Sequence, residues 1–128
     1  MSTVKIPNGH QAVMPYLMLD GASKFKDFTT NVFAGVITQT HYQEDDANAI
    51  KHSEVRIGES TIMFCDSRGE WPAQPANLFV YVDNADDTFQ KALSEGATSV
   101  MEPADQDYGR SCGVKDPCGN VWWITSVL

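Results

Sequence analysis

His52, Glu54 and Arg56 are three ionisable residues at alternate positions of one short segment. In a β-strand, alternate side chains point to one face, so this spacing would set an imidazole, a carboxylate and a guanidinium side by side. Such a histidine and glutamate could transfer a proton, and the arginine could hold an anion. An exposed edge strand with solvated charges explains the same alternation, and we favour that second interpretation.

The three cysteines are the other residues with reactive side chains. Cys65, Cys112 and Cys118 are an odd number and follow no Cys-x-x-Cys spacing, which argues against a disulfide framework and a structural zinc site. A cysteine nucleophile needs a nearby base to form a thiolate, and the sequence fixes none beside Cys65. We therefore expect reduced thiols that pack inside the fold.

The length and composition indicate one folded domain. Of 128 residues, 42% are hydrophobic and 20% are charged, which is enough apolar content to bury a core. No apolar run approaches the roughly 20 residues that a membrane-spanning helix needs, and the N-terminus lacks a secretory signal pattern. We expect a soluble, cytoplasmic protein without a membrane partner.

The charge balance is strongly acidic. Seventeen acidic residues against nine basic ones give a net charge of -8, which repels nucleic-acid phosphates and anionic lipids. We therefore expect no nucleic-acid partner. Solubility is the simple explanation of the acidity, and attraction of a cationic ligand is the alternative.

Hydrophobic periodicity predicts eight strands and two helices. Residues 1–10 carry no periodicity and are predicted to be a loose lead-in. The predicted strands are 14–19, 36–43, 52–57, 60–65, 77–82, 98–102, 111–115 and 120–125, and the predicted helices begin at Ala22 and Ala85. The helices are expected to end at Gly35 and Gly96.

The predicted elements repeat in the same order, which is strand, helix, then three strands. Asp20 matches Asp83 and Ala22 matches Ala85, each pair 63 positions apart. Such an internal repeat indicates two modules, at about 12–66 and 77–126, joined by a linker at 67–76 within a single domain of residues 1–128. Each module alone would leave one face of its sheet uncovered.

Two segments resemble a known family. The turn Asp116-Pro-Cys-Gly-Asn120, followed by an aromatic strand, resembles the second-module hallmark of the glyoxalase, bleomycin-resistance and extradiol-dioxygenase superfamily, also called vicinal oxygen chelate. The hairpin at 52–66 is similar to the one that closes the first module. The resemblance implies an α+β fold of two βαβββ modules that form an open curved sheet, often in a homodimer, with a ligand or metal in the concavity.

The resemblance also implies four metal-ligand positions. They fall on a set of residues that offers no normal ligand for a hard or borderline divalent metal, namely Met14, Met63, Asn77 and Trp123. We therefore expect no metal at these positions and no cofactor. A displaced site, built from His52 and Glu54 with His10 or His41, stays open as an alternative.

Strand alternation places mostly Met and aromatic side chains on the concave face. The predicted ligand-binding residues are Tyr16, Met18, His52, Arg56, Met63, Cys65, Phe79, Tyr81 and Trp123. Such a lining suits a planar or apolar small molecule. Side chains that simply fill the barrel are the other explanation of the same pattern.

The sequence therefore leads to one functional hypothesis with two alternatives. We expect a small-molecule-binding protein that lacks the usual metal ligands, acts as a homodimer and sequesters a cationic or aromatic compound. The first alternative is a lyase, isomerase or dioxygenase-type enzyme with a displaced metal site, or with metal-free acid–base chemistry whose candidate catalytic residues are His52 and Glu54. The second is a protein that acts only through its interface.

Overall fold

Two four-stranded sheets and two helices make up the computed structural model, which describes residues 4–128. The first module contains β1 (Tyr16–Leu19), α1 (Ala22–Phe33), β2 (Val36–Tyr42), β3 (Ile50–Ile57) and β4 (Ser60–Asp66). The second contains β5 (Asn77–Tyr81), α2 (Ala85–Ser94), β6 (Thr98–Gln106), β7 (Gly109–Lys115) and β8 (Val121–Ser126). The predicted α+β fold with a repeated βαβββ order is confirmed.

Both sheets have the same strand order. The first is β1-β4-β3-β2 and the second is β5-β8-β7-β6. In each sheet the first strand runs parallel to the last, and the other neighbours are antiparallel. The two sheets are separate hydrogen-bonded units, and β1 and β5 each form one edge.

The two helices pack on their own sheets because each has an apolar stripe at helical spacing. In α1 the buried stripe includes Phe25, Phe28 and Val32, and in α2 it includes Phe89 and Ala92. The Asn84 side chain accepts a hydrogen bond from the Asp87 backbone and caps the start of α2.

The helix-side faces of the two sheets share one core. Phe25 of α1 contacts Phe64 of β4 and Trp122 of β8, with ring centroids 4.9 and 6.1 Å away. Side chains alternate across each strand, so the neighbours of Phe64 and Trp122 point away from this core. We call the face of each sheet that is turned away from the helices its outer face; within one chain the two outer faces point in opposite directions.

The position of β3 corrects one expectation. β3 lies between β4 and β2, so the segment of His52, Glu54 and Arg56 is not an edge strand. Ser53 and Val55 are fully buried on the helix side, which places the alternating ionisable residues on the outer face. The edge interpretation failed because strand order depends on long-range pairing that a local pattern does not record.

The lead-in is also more ordered than its sequence predicts. The Gly9 carbonyl accepts hydrogen bonds from the Arg56 guanidinium, at 3.0 Å, and from the Thr61 hydroxyl. The Gln11 side-chain amide bonds both the carbonyl and the N–H of Thr61, at 2.7 and 3.2 Å. Residues 7–11 therefore form an N-terminal strap across the outer face of the first sheet. The prediction of a loose lead-in over residues 1–10 is wrong for residues 7–10, and its first three residues lie outside the part of the chain that the structure describes.

No helix among residues 4–128 is both long enough and apolar enough to cross a membrane.

Candidate functional site

A row of four side chains crosses the middle of the first outer face. Tyr16 is paired with Met63, Met63 with Glu54, and Glu54 with Gln39, so one residue from each strand contributes. The parallel and antiparallel pairings fix these residues as cross-strand neighbours on one face. The sheet therefore sets a ring, a thioether, a carboxylate and an amide side by side.

Glu54 is the ionisable centre of this row. Its side chain is only 4% exposed, and its two oxygens accept hydrogen bonds from His10 Nε2 at 2.6 Å and His52 Nε2 at 2.8 Å. Burial opposes ionisation, but the hydrogen bonds from His52 and His10 outweigh it and lower the pKa of the Glu54 carboxyl. The carboxylate is consequently ionised at neutral pH.

The Glu54 hydrogen bond also orients His52. Because Nε2 of His52 donates to the carboxylate, Nδ1 is left as the proton acceptor of the neutral ring. The ring lies edge-on to Tyr16, with centroids 5.7 Å apart. This arrangement of a buried carboxylate and a half-buried imidazole could perform acid–base chemistry.

The thiol on this face is poorly suited to nucleophilic attack. Cys65 is 7% exposed, and burial raises the pKa of its thiol. Burial likewise raises the pKa of Cys112 and of Cys118 to about 11. All three cysteines are free, and Cys65 and Cys112 are buried, which agrees with the expected packing of these two thiols inside the fold.

The second outer face is aromatic. Phe79 contacts Tyr81 and Tyr108, with ring centroids 5.3 and 6.1 Å apart. These rings are 52%, 65% and 54% exposed, which is unusual for large side chains that already touch one another. They form an exposed aromatic platform, the name we use below for Phe79, Tyr81 and Tyr108.

Trp123 is held next to this platform on the same sheet. Its indole N–H donates to the Asn77 side-chain oxygen at 3.2 Å, and its ring lies over Gly113 of β7. A Cβ added at Gly113 would come within 2.7 Å of the Trp123 ring. Glycine is therefore required at position 113 if the indole is to stay where it is.

The four positions that the resemblance assigns to a metal do not fit one. The Asn77 side-chain oxygen accepts a hydrogen bond from the Trp123 indole N–H, and the Met14 sulfur accepts one from the Gln11 N–H at 3.4 Å. Thioether, indole and amide groups do not replace the imidazoles and carboxylates that divalent metals prefer. Across residues 4–128, no group of three or more His, Cys, Asp or Glu side chains is arranged to hold a metal ion.

Two concave regions adjoin the outer faces. A cleft of about 1060 Å³ lies between the modules beside β5, and Phe79 and Tyr81 are among its lining residues. A smaller cavity of about 200 Å³ lies beneath the N-terminal strap, where His10, Glu54 and Arg56 line it. The larger cleft leads to the aromatic platform, and the smaller one is polar.

The predicted ligand-binding residues are divided between the two faces. The first sheet carries Tyr16, Met18, His52, Arg56, Met63 and Cys65, and the second carries Phe79, Tyr81 and Trp123. One chain therefore does not bring all of them into a single groove. As a binding set they stay a prediction.

The sequence did not predict two of the contacts on these faces: the contact of His10 with Glu54, and the place of Tyr108 in the aromatic platform. His10 entered only as a possible metal ligand, because nothing in an aperiodic lead-in shows that it reaches Glu54. Tyr108 follows a β6 strand that extends to Gln106, beyond its predicted end at residue 102. The glycine that follows Tyr108, a residue typical of turns, was the sequence signal that Tyr108 lies at the turn between β6 and β7.

Comparison with family models gives a match over most of the chain. The model described as Glyoxalase/Bleomycin resistance protein/Dioxygenase superfamily matches residues 16–124. An uncharacterised protein of Mycobacterium bovis is 31% identical over 127 residues, which covers 90% of this chain and 82% of that protein.

Solved structures from other bacteria share the fold. An antibiotic binding protein from Streptomyces sp. CB03234 has a TM-score of 0.71 and 17% identity, with 93% of this chain and 100% of that chain covered. The genomically encoded fosfomycin resistance protein of Listeria monocytogenes has a TM-score of 0.72 and 13% identity, with 92% and 94% covered. At these identities the likeness shows the fold alone.

Proposed function

The chain belongs to the Glyoxalase/Bleomycin resistance protein/Dioxygenase superfamily, and on that premise we propose that it binds an aromatic small molecule without a metal centre. The observation that carries the proposal is the exposed aromatic platform of Phe79, Tyr81 and Tyr108. Exposed rings in mutual contact offer a stacking surface for a planar ligand. The antibiotic binding protein with the same fold supports this use of the scaffold.

The charge of the chain favours a cationic ligand. The net charge is -8, and Asp83 and Asp87 line the cleft that leads to the platform. A negative surface raises the local concentration of cations and repels anions. We therefore place planar aromatic cations first among the ligand classes.

The second wall of the groove, in this proposal, comes from a second copy of the chain. Within one chain the two outer faces point in opposite directions, so neither covers the other. A homodimer that sets the first outer face of one copy against the aromatic platform of the other would enclose the ligand. We also propose a cytoplasmic location, because free thiols suit a reducing compartment.

A thermal-shift titration with proflavine, a planar aromatic cation, tests this function. We expect the melting temperature to rise with proflavine concentration, because a ligand that binds only the folded state stabilises it. In Tyr81→Ala the affinity should fall about fivefold, since an aromatic contact contributes about 1 kcal/mol. Tyr42→Ala is the matched control, because Tyr42 is also exposed but is paired with the core residue Ile50 and so does not belong to the outer-face row of the first sheet.

Absence of any shift across a panel of aromatic cations would contradict the proposed function. An equal loss of affinity in Tyr81→Ala and Tyr42→Ala would contradict the assignment to the aromatic platform.

A second candidate function is metal-free acid–base catalysis of the lyase or isomerase type. The observation that favours it is the hydrogen bond of 2.8 Å between Glu54 and His52, which leaves Nδ1 of the imidazole free to accept a proton. Mass spectrometry of a ligand incubated with the protein tests this candidate. Turnover that is lost in His52→Gln, with binding retained, would support an enzyme.

A dioxygenase-type version of this candidate would need a displaced metal at His52 and Glu54 with His10 or His41, although residues 4–128 arrange no three such side chains to hold a metal ion. Elemental analysis of the purified protein, with His52→Ala as the comparison, tests it. Stoichiometric metal that disappears in the variant would support it, and an unchanged metal content would contradict it.

A further inference from the structure

Among residues 4–128, the buried carboxylate of Glu54 has no permanently charged partner. The ion pairs that it makes among residues 4–128 are those with His10 and His52, and a histidine is charged only when it is protonated. Arg56, the guanidinium that lines the same cavity, donates instead to the Gly9 carbonyl. A buried, ionised carboxylate is costly unless it is compensated, and within residues 4–128 these two imidazoles supply that compensation, so a cationic group of a ligand could take the place of one of them.

The two imidazoles that contact Glu54 are anchored very differently. His52 belongs to β3, an internal strand of the first sheet. His10 belongs to the N-terminal strap, whose Pro7, Asn8 and Gly9 are exposed. A short segment held mainly by polar contacts opens at a lower free-energy cost than a central strand does.

The hydrogen bonds that hold the strap are of a kind that makes His10 easier to displace than His52. Gly9 and Gln11 are bound to Arg56 and Thr61 through hydrogen bonds that water could replace. Lifting the strap would free Oε1 of Glu54, while Oε2 would keep its bond from His52. The freed oxygen would face the same row as Tyr16, a ring that is 47% exposed.

We propose that Glu54 is the counter-ion for a positively charged group of the ligand, and that His10 occupies this place in the free protein. The ligand class is an aromatic compound that carries a protonated amine, with the amine at Oε1 and the ring against Tyr16 and Met63. Binding displaces His10 and moves the strap aside. This inference rests on the proposed function and adds the group that recognises the charge.

The experiment compares proflavine with acridine at mildly alkaline pH, where the first is a cation and the second is neutral. Affinities of both are measured by fluorescence titration for the wild-type protein, Glu54→Gln and Glu59→Gln. Glu59→Gln is the control because it removes the same charge from an exposed turn. We expect Glu54→Gln to weaken proflavine about 10- to 100-fold and to leave acridine nearly unchanged, since a charged hydrogen bond is lost only for the cation.

His10→Ala provides an independent readout that does not require altering Glu54. Removing the competing imidazole should strengthen proflavine binding several-fold and leave acridine unchanged. Hydrogen exchange at residues 9–11 should accelerate when proflavine binds the wild-type protein, because the strap is displaced. A purely structural role of His10 would instead weaken both compounds.

The outcomes separate this inference from the proposed function. If proflavine binds, but equally well to the wild-type protein and Glu54→Gln, the counter-ion assignment is overturned and the aromatic-binding function stands. If Glu54→Gln does not fold, unchanged or weakened proflavine binding in His10→Ala overturns the assignment. If no aromatic cation binds at all, both are overturned.

Discussion

The individual residue with the most consequential contacts is Glu54, a carboxylate held between two imidazoles. Glu54 is shared by a histidine from the strap and one from β3, at 2.6 and 2.8 Å. The sequence predicts that His52 and Glu54 share a face, because alternation along a strand is a local property. It does not predict the contact that covers Glu54, because His10 of the strap lies 44 positions earlier in the chain.

The pH dependence of stability reports the Glu54 interactions directly. The pKa of Glu54 is lowered from its ordinary value of 4.5, so the ionised form stabilises the folded state above that value. This contribution is lost as the pH falls through the lowered pKa. We expect Glu54→Gln to reduce the free energy of unfolding by about 1–3 kcal/mol at neutral pH, because buried hydrogen bonds to a charged group are lost.

Urea unfolding from neutral pH down to below 4.5 measures this difference. The gap between the wild-type protein and Glu54→Gln should narrow in acid, whereas Glu59→Gln should stay close to the wild-type protein at neutral pH. A gap that is undiminished well below pH 4.5, where the Glu54 carboxyl becomes protonated, would show that Glu54 does not stabilise the fold as its ionised form.

Corresponding elements of the two modules are fixed by corresponding contacts. The first N–H of α1, at Ala22, donates to the Asp66 side chain at the end of β4. The first N–H of α2, at Ala85, donates to the Ser126 hydroxyl at the end of β8. Each helix start is thus tied to the last strand of its own module, which gives the internal repeat a structural basis.

The helices and strands were largely predictable from the sequence, but the contacts between segments that are distant in the sequence were not. Ala22 and Ala85 begin the helices as predicted because apolar periodicity and flanking turn residues are encoded locally. The strap was missed because Gln11 uses its side-chain amide, rather than its backbone, to bond Thr61. Hydrophobic periodicity and turn propensity do not predict a hydrogen bond from a side chain to a distant backbone group.

The turn between β7 and β8 depends on one buried aspartate. Oδ1 of Asp116 accepts the Cys118 and Asn120 backbone N–H groups, and Oδ2 accepts the Asn120 amide and the Trp122 indole. Arg110 does not take part, since it pairs with Asp86 and Asp105 instead. Asp116 therefore connects the turn to the aromatic core.

Asp116→Asn should lower the free energy of unfolding by about 3 kcal/mol, because an amide nitrogen would replace an oxygen that accepts two buried donors. Chemical denaturation measures the change. Asp107→Asn, in the exposed turn between β6 and β7, is the control and should differ little from the wild-type protein. Equal effects of the two substitutions would contradict the role given to Asp116.

At the scale of the whole molecule, the two outer faces differ in chemistry. The first carries the carboxylate, the imidazoles and the strap, and the second carries the aromatic platform. Sequence alternation predicted that these residues share the sheet faces turned away from the helices and line one concave groove, but not that the two sets would lie on opposite sides of one chain. That arrangement follows from Phe25 packing between Phe64 and Trp122, a contact set by tertiary structure alone.

The proposed pairing of copies has a direct consequence in solution. Sedimentation velocity should find a species of twice the 14.1 kDa chain mass, because exposed rings that enclose a ligand need a second wall. Proflavine should shift the equilibrium further toward this dimer, since it would contact both copies. A monomer that binds proflavine with full affinity would contradict the pairing.

The most direct test of the central claim is a proflavine titration followed by ¹⁵N–¹H correlation spectra. We predict the largest shifts at the backbone amides of Phe79, Tyr81 and Tyr108 and at the Trp123 indole N–H, because the ligand stacks on that outer face. Loss of these shifts in Tyr81→Ala, but not in Tyr42→Ala, would confirm the location. Saturable shifts confined to other parts of the chain, or no shifts at all, would contradict an aromatic-binding function at this face.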